Sequence, residues 1–98
     1  MPYSIDELKS IIVPIAKAYG VDAVSLFGSY SRGTADSDSD IDILIKKGKV
    51  SSLFALTGFR LALEDVLHKP VDIVTYTSAD KDFLNIILKD EVLLYQSA

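Results

Sequence analysis

Apolar residues recur at Ile5, Leu8, Ile11, Ile12, Ile15, Ala16 and Tyr19, close to the 3.6-residue turn of a helix. This pattern predicts a helix over 4–19, opened by Ser4 with Glu7 three residues on and closed by Gly20. Pro14 falls inside it and is expected to kink or divide it, because proline removes one helical hydrogen bond. Val21 to Phe27 alternates as a strand does and ends at Gly28. The next stretch, to Asp38, is rich in Gly, Ser and Asp and reads as a loop with a short helix beginning near Ser29. Ile41 to Ile45 predicts a second strand, followed by the solvated turn Lys46-Lys47-Gly48-Lys49. Ser52 to His68 predicts a second long helix, with Leu53, Leu56, Phe59, Leu63, Val66 and Leu67 on its apolar face. Gly58 within it costs about 1 kcal/mol against alanine. Pro70 ends that helix, and Val71 to Thr75 forms a third strand. Asp80 to Asp90 predicts a last helix with Phe83 in the core, and Val92 to Tyr95 a short final strand. The order α-β-(α)-β-α-β-α-β implies an α/β or α+β fold with helices packed on a small sheet.

The chain has 98 residues, 49% of them apolar and 24% charged, which is ordinary for a globular domain. That length supports one core, burying about 60–70% of the unfolded surface, so residues 1–98 are expected to form one domain. There is no cysteine, which excludes disulfides, thiolate metal sites and cysteine nucleophiles. The N-terminal residues have no basic stretch followed by an apolar run, and no segment approaches 18 continuous apolar residues. No membrane association is expected, and a cytoplasmic location is the default. The net charge of −4 argues against a general nucleic-acid binder, which needs a basic face to neutralise phosphates.

The acidity is local. Asp36, Asp38, Asp40 and Asp42 fall at every second position, and with Asp72 set aside too the rest of the chain carries +1. Several motifs fail around these residues. Gly28 and Gly33 have the spacing of a P-loop, but Thr34 stands where its lysine should be. A dinucleotide fingerprint would need glycine at Tyr30. An EF-hand beginning at Asp36 would need glycine at Ile41 and glutamate at Lys47.

A positive reading starts from strand periodicity. Residues i and i+2 share a face, so Asp40 and Asp42 present two carboxylates together while Ile41 and Ile43 point into the core. Adjacent carboxylates repel unless a cation joins them, and Mg²⁺ is usually held by one or two carboxylates plus substrate phosphates. Asp72 is an acid among β-branched residues, Pro70-Val71-Asp72-Ile73-Val74. If its strand lies beside Ile41–Ile45, three carboxylates converge, and three can hold two metals for displacement at phosphorus. Gly28 lets backbone N–H groups approach an anion, Ser29 adds a hydroxyl, and a helix starting there turns its positive end toward phosphate. Arg32 either binds phosphate or pairs with a nearby aspartate, Asp36 and Asp38 read as loop caps, and His68 as a helix-end residue favoured by the dipole.

Gly28, Ser29, Arg32, Gly33, Ser39, Asp40, Asp42 and Asp72 together resemble, in order and spacing, the motif of the minimal nucleotidyltransferases (MNT) of the DNA polymerase β superfamily. The resemblance runs from the first helix through Tyr95, with Ser31 where many relatives have alanine. It implies a polymerase-β-like nucleotidyltransferase fold, a small mixed sheet with helices packed on it. It also implies Asp40, Asp42 and Asp72 as catalytic metal ligands for two Mg²⁺ ions, with Gly28 and Ser29 on the phosphates of a nucleoside triphosphate, ATP first. The acceptor it implies is a hydroxyl, a tyrosine of a HEPN-type toxin, and the chain would act as an antitoxin by transferring AMP. Two other readings stand beside it. One is a nucleotidyltransferase acting on a small molecule or nucleic acid, and the other is a non-catalytic antitoxin that binds and occludes its toxin.

Overall fold

The computed structural model describes residues 2–77 and 79–97. The first helix, α1 (Ile5–Tyr19), opens with a capping box: Glu7 N–H donates to Ser4 Oγ at 3.1 Å, and Ser4 N–H donates to Glu7 Oε1 at 2.9 Å. It closes on Gly20, whose φ of 76° is left-handed. Pro14 does not divide α1, which runs unbroken across it. Pro14 and Ser10, whose carbonyl loses its helical donor, are both exposed, so water can satisfy that oxygen.

Three further helices and four strands follow. They are β1 (Ala23–Phe27), α2 (Ser29–Arg32), β2 (Ile41–Lys46), α3 (Leu53–Leu67), β3 (Val71–Thr75), α4 (Lys81–Asp90) and β4 (Val92–Gln96). The strands form one mixed sheet in the order β3-β2-β1-β4. β1 pairs antiparallel with both β2 and β4, and β2 pairs parallel with β3 through the α3 crossover.

One face of the sheet carries the core. Ile41, Ile43 and Ile45 of β2 join Val24 and Leu26 of β1, Val71 of β3 and Leu94 of β4. Leu8, Ile12 and Ala16 of α1 and Phe59, Leu63 and Leu67 of α3 close over them. Helical spacing of four residues aligns these side chains on one stripe of each helix. Leu53 and Val66, expected on that stripe, instead face solvent: Leu53 is 81% exposed and Val66 48%. Both stand at the ends of α3, Leu53 as its first residue and Val66 as its last but one. The other face is covered in part by α4, with Leu44 and Ile87 buried outside the main cluster. Phe83, also expected in the core, is 43% exposed.

α3 ends in a conformation with no sequence signal. His68 takes φ 56° and ψ 36°, and its N–H donates to the Glu64 carbonyl at 2.8 Å. It is the non-glycine residue with positive φ among the described residues. It is the C-cap itself, and the left-handed region costs about 1–2 kcal/mol for a residue with a Cβ. Glycine would remove that strain but loses about 0.5–1 kcal/mol of its own in chain entropy. His68 is exposed, so few packing contacts would go with it. His68→Gly should therefore raise the thermal midpoint by about 2–4 °C, equivalent to about 0.5 kcal/mol in a domain of this size. A melt followed by circular dichroism checks this, and a lower midpoint would mean that the imidazole itself supports the turn.

Candidate active site

The site grows out of strand register. Asp42 in β2 stands directly beside Asp72 in the parallel strand β3, and opposite Phe27 in the antiparallel strand β1. Residues in register share a face, so Phe27, Asp42 and Asp72 project together, away from Ile41 and Ile43. Asp42 is half-buried and Asp72 exposed. Asp40 lies one residue before β2, outside the ladder, and is exposed.

The charges on this face oppose one another. Burial pushes the Asp42 carboxyl from its ordinary 3.8 up to about 6, helped by the Asp72 charge, a hydrogen bond with Asp72, and the more weakly coupled Asp40. The Arg32 guanidinium pulls it the other way. Arg32 forms no ion pair with any aspartate: the salt bridge among the described residues is Arg60 to Glu64, at 3.3 Å. Arg32 thus carries an exposed positive charge beside an under-compensated acidic pair.

Gly28 packs tightly on this pair. Its φ of 74° and ψ of −151° belong to a region that only glycine occupies readily. A Cβ there would also overlap the Asp42 carboxylate. Gly28 is the N-cap of α2, and no side chain caps that helix. Ser31 Oγ donates to the Gly28 carbonyl at 2.8 Å and Arg32 N–H to the same oxygen at 3.2 Å, fixing the turn. First-turn N–H groups without a side-chain acceptor suit an anion such as phosphate. Ser29 is half-buried within this turn.

The loop from α2 to β2 is self-braced. Asp36 Oδ1 accepts from Asp38 N–H at 2.9 Å and from the Ser39 hydroxyl at 3.1 Å, so Asp36 acts as a loop cap and Ser39 as its brace. Two positioning residues carried no sequence signal, Lys69 and Glu64. Lys69 Nζ donates to the carbonyls of Ser37 and Ser39, clamping the loop that leads to Asp40. Glu64 Oε2 accepts from Val71 N–H at 2.8 Å while Arg60 holds its other oxygen, fixing the start of the strand that bears Asp72. Both pairings join residues whose separation in sequence hides their proximity.

The expected convergence of three acids is met only in part. Asp42 and Asp72 are paired, but no group of three or more His, Asp or Glu side chains forms a ready metal cage among the described residues. Three like charges without a cation repel, and Asp40, unconstrained by the ladder, can turn toward water. The donor set nonetheless fits a hard divalent cation. It offers carboxylate oxygens on one face, half-open to solvent, with mutual repulsion that a cation would relieve.

Two outcomes follow from this geometry. At neutral pH the fold holds Asp42 ionised at a cost. A carboxyl raised in the folded state stabilises the fold fully below its unfolded pKa, and that contribution is lost as pH rises from about 4 through about 6. Discounted for solvent exposure, the cost at pH 7 is about 1 kcal/mol. Asp42→Asn should therefore melt about 4–8 °C above the unsubstituted protein at pH 7 and level with it near pH 4. Melts across that range check the sign, and a variant less stable at pH 7 would show that the carboxylate is not strained. Gly28→Ala, by contrast, should cost about 2–3 kcal/mol from backbone strain and overlap with Asp42. Urea unfolding measures it, and a loss below 0.5 kcal/mol would mean that the turn relaxes without help.

Comparison with known proteins places the chain. The family described as polymerase beta nucleotidyltransferase matches residues 9–98. The chain is 42% identical over 90 residues to a Methanocaldococcus jannaschii protein named "Putative protein adenylyltransferase MJ0435", covering 92% of this chain and 91% of that one. It is 31% identical over 93 residues to the protein adenylyltransferase MntA of Thermococcus cleftensis, covering 91% and 94%. Among solved structures it is similar to a chain of a toxin–antitoxin crystallised with AMP-PNP, at 25% identity and a TM-score of 0.80, covering 91% of this chain and 73% of that one. The four-stranded mixed sheet is the polymerase-β-like nucleotidyltransferase fold, and the chain belongs to the polymerase beta nucleotidyltransferase family.

Proposed function

We propose that this protein transfers AMP from ATP to a hydroxyl on a protein partner, a tyrosine of a HEPN-type toxin, and so acts as its antitoxin. The observation that carries this reading is the Asp42–Asp72 pair set in register beside the Gly28–Ser29 turn. Relatives named protein adenylyltransferases, and a neighbour from a toxin–antitoxin complex with an ATP analogue, support the choice of donor and of a protein acceptor.

Each residue has a stated task. The N–H groups at the start of α2 and the Ser29 hydroxyl hold the β- and γ-phosphates, and Arg32 adds positive charge to them. Asp40, Asp42 and Asp72 would hold Mg²⁺, which when bound neutralises charge developing on the phosphate oxygens. Asp72, exposed at the edge strand β3, takes the proton from the incoming hydroxyl. That oxygen attacks the α-phosphorus, the bond from the α-phosphorus to the bridging oxygen breaks, and pyrophosphate leaves. Lys69 and Glu64 keep the two acid-bearing segments in place.

The test uses an extract of the source cells with Mg²⁺ and ATP labelled at the α-phosphate. Wild-type protein should place label on a protein band, on tyrosine, and Asp42→Asn should lower that transfer about a hundredfold or more. Label on RNA or on a small molecule would replace the protein acceptor with the first alternative. An Asp42→Asn variant that still suppresses the toxin without labelling it would establish occlusion instead.

A further inference from the structure

Beside the Gly28 turn lies a cleft of about 200 Å³ that the chemistry above leaves unused. Phe27, Gly28 and Arg32 form one side, and Phe83, Ile86 and Asp90 of α4 the other. We propose that this cleft receives the nucleobase of the nucleoside triphosphate, with its flat face against Phe83 and Ile86 and its exocyclic amino group on the Asp90 carboxylate. This assignment rests on the nucleotidyl-transfer reading and names the part of the donor that reading leaves open.

Continuity with the phosphate turn is the first support. Gly28 and Arg32 belong to both places, so a base tethered to phosphates on that turn has the cleft within its reach. Size is the second. Pockets for whole drug-sized ligands run to about 300–1,000 Å³, so this cleft suits one ring system rather than a complete nucleotide. Charge is the third: Arg32 lies on the side shared with the phosphate turn, while Asp90 on the α4 side is a carboxylate, which accepts from an amino group and repels phosphate.

The helix also breaks local rules in this cleft. Ile86 is 63% exposed and Phe83 43%, although Ile87 shows that α4 has a buried stripe available. Asp90 stands in the last turn of α4, where a carboxylate opposes the negative end of the helix dipole. Such departures from local preference gather where function requires them. Phe83 is already oriented, its ring edge-on to Phe27 at 88° with centroids 6.4 Å apart, and an oriented aromatic face is a stacking platform for a base.

Calorimetry on the intact protein with Mg²⁺ and no acceptor tests the assignment, with ATP, ITP and inorganic tripolyphosphate as probes. Phe83→Ala should weaken ATP about tenfold and leave tripolyphosphate unchanged. Phe83→Leu, which keeps an apolar side chain but no ring, should weaken ATP alone as well and covers the case in which the alanine variant fails to fold. ITP carries a carbonyl where ATP carries the amino group, so wild type should favour ATP and Asp90→Asn should narrow that preference. Unchanged ATP binding in both Phe83 variants overturns the proposal, as does equal weakening of ATP and tripolyphosphate. Unchanged ATP binding with slowed transfer also overturns it and gives the cleft to the acceptor. A wild-type protein that binds neither ATP nor tripolyphosphate overturns the nucleotidyl-transfer reading itself, and the base site with it.

Discussion

Two carboxylates that repel each other are held side by side by the parallel ladder between β2 and β3, and the rest of the molecule is arranged around that fact. The ladder sets Asp42 against Asp72 by backbone pairing alone. Its register is not free to relax, because Ile41 and Ile43, the neighbours of Asp42, are fully buried under α1 and α3. A slip of one residue would turn the isoleucines to solvent and the aspartate into the core. Burying the apolar positions and displaying the acids are therefore one structural choice. The α3 crossover that makes β2 and β3 parallel also brings Lys69 and Glu64 to the acid end of the sheet, where they pin the segments on either side.

That choice concentrates unfavourable terms in one place. Asp42 resists ionisation, Gly28 sits in a backbone region closed to other residues, and His68 enters the left-handed region just before the strand that bears Asp72. The Asp42 charge and the His68 backbone each cost about 1–2 kcal/mol in an ordinary setting, whereas Gly28 meets its conformation without that strain. The core on the opposite face offsets them, with Phe59, Leu63 and Leu67 of α3 buried in one cluster with the alternating isoleucines Ile41, Ile43 and Ile45 of β2. The two faces of the sheet thus divide the work, one supplying stability and the other holding strained groups in place.

How much of this could be read from the residues depends on the range of the signal. Helix ends with local chemistry, such as Ser4 with Glu7 or Gly20, were legible because the partners lie three or four residues apart. The strand bearing Ile41, Ile43 and Ile45 was legible because period-two burial is written along it, and so was the face on which Asp42 lies. The placement of Asp72 beside Asp42 was conditional on strand order, which no single segment carries. Lys69 reaching the 37–39 loop, and α4 leaving Phe83 and Ile86 exposed, depend on tertiary packing and left no periodic trace. Pro14 shows the converse: a strong local signal that does not divide α1, because the helix runs on across it with Pro14 and Ser10 both exposed.

The unequal covering of the sheet explains why the acid face remains usable. Two long helices, α1 and α3, cover most of one side, while the ten-residue α4 reaches over only part of the other. Leu44 and Ile87 close the covered part, and beyond it the sheet face carries Phe27, Asp42 and Asp72 in register. A longer or more centrally placed α4 would bury those carboxylates, and burial without a partner would push Asp42 still higher and leave it protonated at neutral pH. Partial cover holds its pKa near 6, low enough for the carboxylate form to dominate at pH 7 and high enough that a cation gains by displacing the repulsion. The exposed apolar edge of α4 follows from the same compromise, because a helix that stops short of the acids must also leave part of its own surface open beside them.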